Sequence, residues 1–255
     1  MTTTAAARFD KIAANFATSE VHSSSPTMRR LHELIALPES AAVCDVACGA
    51  GHLALSFSGR AARICGVDPA PAMLDAFATL ASERGVAVEC IQAYAERIPL
   101  PDASFDLVVT RLAAHHFARI EAAVAEMARL TRPGGSVAVI DLEGDAEPAI
   151  DAFNHRLELL HDPTHVRSYP AARWRELLED AGLRVEALER RQRESPAGVP
   201  SKRWCEIAGS GAAAEAAIRD LLAAADPATR EALGIEADGE EFRIPVRTVL
   251  LVAGK

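Results

Sequence analysis

Apolar and polar positions along the 255 residues alternate between helix-like and strand-like runs. Near the N-terminus Phe9, Ile12, Ala13 and Phe16 recur at helical spacing, and residues 27–35 form a second helical stretch ended by Pro38. Residues 41–46 are an apolar run carrying Asp45 near its end. Gly49 and Gly51 follow, and a helix-like segment opens near His52, the pattern of a strand turning sharply into a helix. A second strand-like run, 63–67, ends on Asp68, and proline early in the next segment predicts a helix from Pro71 to about Arg84, with Gly85 as its stop. Residues 86–91 alternate in strand fashion, and 104–110 form a more continuous strand, as in the middle of a parallel sheet. Ile120, Ala123, Val124, Met127 and Leu130 share one helical face, and 136–142 read as the next strand. This strand–helix alternation predicts an α/β fold with a doubly wound sheet. Further helices are expected over 147–160 and 170–181, a strand over 183–188, a helical insertion over 197–240 and a last strand over 245–253.

The glycine turn holds the candidate chemistry. Its glycines let the backbone approach a ligand closely, and the helix start behind it offers free N–H groups. Asp68, at the end of the following strand, is placed to accept hydrogen bonds from both hydroxyls of a ribose, so the pair predicts a nucleoside-containing cofactor. The run Gly49-Ala50-Gly51-His52-Leu53-Ala54 also fits a looser dinucleotide fingerprint. Asp45 decides between them. A carboxylate beside the turn repels a pyrophosphate and suits the ammonium and sulfonium of S-adenosylmethionine (SAM). A turn-capping role without ligand contact is the plainer alternative.

Composition narrows the class. With 27 basic against 36 acidic residues the formal charge is −9, which argues against a general nucleic-acid binder. Arg190, Arg191 and Arg193 are the densest basic cluster and read as a solvated strand end. No run approaches the ~18 apolar residues of a membrane span, and no leader pattern opens the sequence. Five cysteines in mixed contexts predict reduced thiols and a cytoplasmic setting. The length suits one domain over 1–255, with 1–40 as a helical lid and 147–181 and 197–240 as cap elements.

Five pieces in order carry a family resemblance: residues 45–51, Asp68-Pro69, 95–102, 104–109 and 126–135. Together they resemble the class I SAM-dependent methyltransferases, closest to the UbiE-like small-molecule branch, over at least residues 9–190. The resemblance implies a Rossmann-like sheet of seven strands, mostly parallel with the last antiparallel, and SAM over the carboxyl ends of the first strands. It implies that Gly49 and Gly51 lie by the methionine part, that Asp68 holds the ribose, and that Ala95 and Glu96 flank the adenine with Met73 packed near it; Asp45 and Pro69 are expected in the same cofactor site. Arg111, after the fourth strand, completes the expected cofactor set. Tyr94 stands where the family usually has an acid that accepts from the adenine amine.

Methyl transfer asks a protein to align a nucleophile, exclude water and sometimes remove a proton. His115 and His116 follow the fourth strand at the ligand-binding edge of such a sheet, and His165 lies in a loop with Asp162 and Arg167. These three are the candidate catalytic residues, with His22 of the lid behind them, and packing or capping is the plainer role for each. No metal is expected, because Pro163 would break the helix needed to present His161 and His165 together. No Asn-Pro-Pro-Tyr-like element follows the fourth strand, and no Pro-Cys pair offers a cysteine nucleophile. The expected partner is a small-molecule acceptor, with no nucleic acid and no membrane, and a homodimer left open. A non-catalytic SAM-binding regulator and a nicotinamide-dependent oxidoreductase are the competing readings.

Overall fold

The computed structural model describes residues 4–17, 23 and 25–255, so His22 lies outside the described residues. The chain begins with α1 (Ala5–Ala17) and α2 (Pro26–Leu34), whose start is capped by Ser25. Then follow β1 (Ala41–Val46), α3 (His52–Ser56), β2 (Ala61–Asp68), α4 (Pro71–Glu83), β3 (Glu89–Gln92) and β4 (Phe105–Arg111). A single 3-10 turn (Ala114–His116) precedes α5 (Ile120–Leu130), β5 (Thr131–Leu142), α6 (Pro148–His161), α7 (Ala171–Asp180) and β6 (Arg184–Arg193). The remainder comprises β7 (Val199–Pro200), α8 (Ser201–Ala208), α9 (Ala212–Ala224), α10 (Pro227–Leu233), β8 (Glu236–Asp238), β9 (Glu241–Ile244) and β10 (Arg247–Gly254).

Seven strands form the main sheet in the order β3-β2-β1-β4-β5-β10-β6. β10 runs antiparallel to both β5 and β6, while β1 to β5 pair in parallel. The mostly parallel sheet with an antiparallel last strand is therefore present. Burial explains the unbroken apolar runs. Alternate residues of β1 enter different cores: Cys44 and Val46 pack with α5 and α7, whereas Val43 packs with α2 and α3. Strand order reverses between β1 and β4, which opens a crevice at their carboxyl ends.

Four elements differ from the sequence expectation, the first being β5, which begins at Thr131 because Phe105 of β4 pairs with it there. β3 has 4 residues, because Val86 and Val88 pack on the Phe77–Ala81 cluster of α4 before the strand begins. β6 continues to Arg193, since β10 supplies a partner as far as Arg247. Its arginine-rich end is neutralised in place: Arg190 pairs with Glu143 at 2.9 Å and Arg193 lies 3.7 Å from Glu236. The 197–240 region is helical, but it also carries a three-stranded sheet, β7-β9-β8. The β8–β9 hairpin turns at Gly239, whose φ is +64°. The Asp238-Gly239 pair is its sequence signal.

Candidate active site

The turn after β1 is built by backbone groups of β2 and by Asp68. Ala47, Gly49 and Gly51 all have positive φ (57°, 53° and 79°), and the Cys48 N–H donates to the Val67 carbonyl at 3.0 Å. Asp68 accepts from the Gly49 N–H on one oxygen and from the Ala70 N–H on the other, each at 2.9 Å. A carboxylate oxygen can accept more than once, so Asp68 shapes the turn and keeps capacity for a ligand. Asp45 is buried and accepts from the Ala54 N–H at 3.0 Å. Burial raises its carboxyl to about 7, against the pull of that hydrogen bond and of the Arg111 charge. Asp68 is also raised by burial, with the two backbone bonds opposing.

These groups border a cleft of about 300 Å3, within the size range of small-molecule sites. Asp45, Gly49, Asp68, Pro69, Met73, Ala95, Glu96 and Arg111 all line it. Gly51 does not. A Cβ on Gly51 would stand 1.9 Å from the Phe77 ring, whereas one on Gly49 would meet only the Met73 sulfur, at 3.9 Å. Gly51 is therefore a packing glycine, and Gly49 is the one open to the cleft. Tyr94 lines the rim and is 59% exposed. The Glu96 carboxylate accepts from the Arg119 N–H at 3.2 Å. Arg111 holds Glu194 in a buried ion pair at 2.6 Å.

Behind the cleft lies a smaller chamber of about 90 Å3. Phe9, Phe16, Leu112 and His116 are walls of both cavities. Leu112, just past β4, is held at φ 51°, an unusual conformation for a branched residue and of the kind that concentrates at sites. His115 and His165 line the chamber, so the three predicted histidines meet there. Their chemistry differs. The His115 Nδ1 lies 2.6 Å from a carboxylate oxygen of buried Asp141. Burial works against an imidazolium at His115, but the charge and hydrogen bond of Asp141 outweigh it and raise the pKa above 6.5. His116 is held neutral, chiefly by burial and then by His115, and its Nδ1 stands 3.0 Å from the Thr164 carbonyl. Burial first, then the neighbouring histidines, lower His165 to about 2. Arg167, expected beside them, instead pairs with Asp151.

Sequence reasoning missed Asp141, Glu158 and Trp204. Asp141, near the end of a strand, had the same signal as Asp68. Glu158 and Trp204 had none, because only the crossover from α6 to α8 brings them to the chamber. Among the described residues no group of three or more His, Cys, Asp or Glu is arranged to hold a metal ion, and no helix is long and apolar enough to cross a membrane.

Residues 44–139 match a methyltransferase domain family. The chain is 36% identical over 149 residues to the uncharacterized methyltransferase YcgJ of Bacillus subtilis (strain 168), covering 58% of this chain and 59% of that protein. It is 32% identical over 115 residues to the ubiquinone/menaquinone biosynthesis C-methyltransferase UbiE of Burkholderia orbicola, covering 44% of this chain and 47% of that one. The chain thus spans about half the length of the curated relatives it matches. The crystal structure of Bacillus subtilis YcgJ superposes with a TM-score of 0.78 at 28% identity, over 89% of this chain and 96% of that one. Sheet order, glycine turn and these matches agree: residues 44–139 match a methyltransferase domain, and the fold is that of the methyltransferase YcgJ.

Proposed function

We propose that the protein transfers a methyl group from SAM to an oxygen, nitrogen or carbon of a small organic metabolite. The observation that carries this reading is the pair of abutting cavities, one walled by Asp45, Gly49 and Asp68, the other by His115. The residues of the larger cleft fit the cofactor. Asp45 is a buried carboxylate that feels the Arg111 charge but makes no ion pair among the described residues, and Gly49 leaves a cradle that a side chain would fill. Bound SAM supplies a methyl group already activated on a sulfonium.

Asp68 would accept from the ribose hydroxyls, and Asp45 would face the positive charge of the methionine part. Tyr94, Ala95 and Glu96 would border the adenine, with Tyr94 offering its ring or hydroxyl in place of an acid. Phe9 and Phe16 of α1 would exclude water where the cavities meet. His115, with Nδ1 held by Asp141, would take a proton from the acceptor on Nε2. Both cavities are built from one chain, so the reading does not require a homodimer. The acidic formal charge supports a metabolite over a nucleic acid, and five free thiols support a cytoplasmic setting.

Titration calorimetry with SAM, its demethylated product and NAD tests the reading. The first two should bind and NAD should not. Asp68→Ala should weaken SAM by about 2–4 kcal/mol, as expected for two lost charge-assisted hydrogen bonds, and Asp68→Asn by less. NAD binding without SAM binding, or an unchanged affinity in folded Asp68→Ala, would end it.

A further inference from the structure

Glu158 lies inside α6, 8% exposed, and its carboxyl lines the smaller chamber. Among the described residues it has neither a side-chain hydrogen bond nor an ion pair, and burial raises its carboxyl to about 7 against the pull of the nearby His115 charge. A carboxyl placed this way costs stability unless something pairs with it. The His165 Nε2, in the same chamber, is likewise buried without a hydrogen-bond partner. A carboxyl without a partner on the wall of a cavity marks a ligand subsite, because buried polar groups are rarely left alone.

The charge of the chamber selects the ligand. Among the described residues its walls carry the carboxyls of Glu158 and Asp162, with no lysine or arginine, and His115 is its one cationic candidate, itself held by Asp141. Asp162 is already engaged by Arg8 at 3.1 Å, so Glu158 is the carboxyl left for a guest. Phe9, Phe16 and Trp204 add aromatic faces, which attract cations. An anionic guest would meet repulsion there. A volume of about 90 Å3 admits a small head group.

We infer that this chamber is the acceptor subsite and that it takes a small primary or secondary amine, held by Glu158 and relieved of a proton by His115. The inference rests on the methyltransferase reading. An amine arriving as ammonium gives one proton to the His115 Nε2 and regains its lone pair. The new N–C bond forms as the S–C bond of the sulfonium breaks. The electron pair of that bond stays on sulfur as a neutral thioether, and the positive charge passes to the methylated nitrogen.

Isobutylamine, isobutanol and isobutyrate share a shape and differ in charge. Their dissociation constants are to be measured by ligand-observed NMR at pH 8, with and without S-adenosylhomocysteine, on wild type and Glu158→Gln. The amine should bind wild type at least tenfold tighter than the alcohol, and the carboxylate weakest. Glu158→Gln should bring amine and alcohol within about twofold while S-adenosylhomocysteine affinity stays within about threefold. Equal binding of amine and alcohol, preference for the carboxylate, or an amine preference that survives Glu158→Gln would overturn the inference. If the variant fails to fold, the wild-type series decides alone. Wild type that binds S-adenosylhomocysteine but is indifferent to amines defeats this inference only, whereas failure to bind S-adenosylhomocysteine defeats the cofactor reading.

Discussion

Burial holds the Asp45 carboxyl at about 7, well above the ordinary carboxylate range, and this makes cofactor affinity depend on pH. A cation beside Asp45 favours the ionised form. SAM affinity should therefore rise as pH increases through about 7, with proton release below that point, and Asp45→Asn should flatten the dependence. Calorimetry in buffers of different ionisation enthalpy reads both. In the ligand-free protein the sign is opposite: a folded pKa above the unfolded value means stability is lost as pH rises through about 7. His115 supplies the second residue-scale prediction. Asp141 raises its pKa, so the rate should climb with pH through a value above 6.5. His115→Ala should lower the rate by about 10²–10⁴ with SAM binding intact. Asp141→Asn should retain more activity and move the limb to lower pH. A loss under tenfold with the wild-type profile kept would reduce His115 to packing.

At the scale of elements, the β1–α3 turn separates two uses of glycine. Gly51 starts α3 at φ +79° against the Phe77 ring of α4. Gly51→Ala should therefore destabilise the fold by about 2–3 kcal/mol through strain and overpacking, seen as a lowered Tm in the ligand-free protein. A variant that keeps its Tm and loses only SAM would return Gly51 to ligand contact. Spacing alone could not make this distinction, since Gly49 and Gly51 look alike in sequence and Phe77 reaches only one of them. The cofactor side was legible for a physical reason: Asp45, Asp68 and Ala95 lie at strand ends, where a parallel sheet gathers them. His115 was legible on the same ground. Glu158 was not, because a carboxyl inside an amphipathic helix reads as solvated until the elements around it are known. Asp238-Gly239 was a readable hairpin turn hidden by an alanine-rich setting.

Across the whole molecule, the strand ends of the sheet line the larger cleft, α1 walls both cavities, and α6 with the segment after β6 completes the smaller chamber. Chimeras that exchange 148–161 together with 195–246 with a relative, keeping Glu194 as the partner of Arg111, should transfer acceptor preference and leave SAM affinity nearly unchanged. Preference that stays with the sheet would contradict this division. The pairing of Arg193 with Arg247 gives the exchange a further meaning. Those residues face each other across an antiparallel ladder, so the segment that helps to wall the smaller chamber is the loop of one enlarged β-hairpin. Closing a loop of about fifty residues costs only about 2 kcal/mol more chain entropy than closing one of five. Material can therefore be added to or removed from this connection at little thermodynamic cost while the strand register stays fixed. Selection for a new acceptor has a place to act where insertions and deletions leave the catalytic frame untouched.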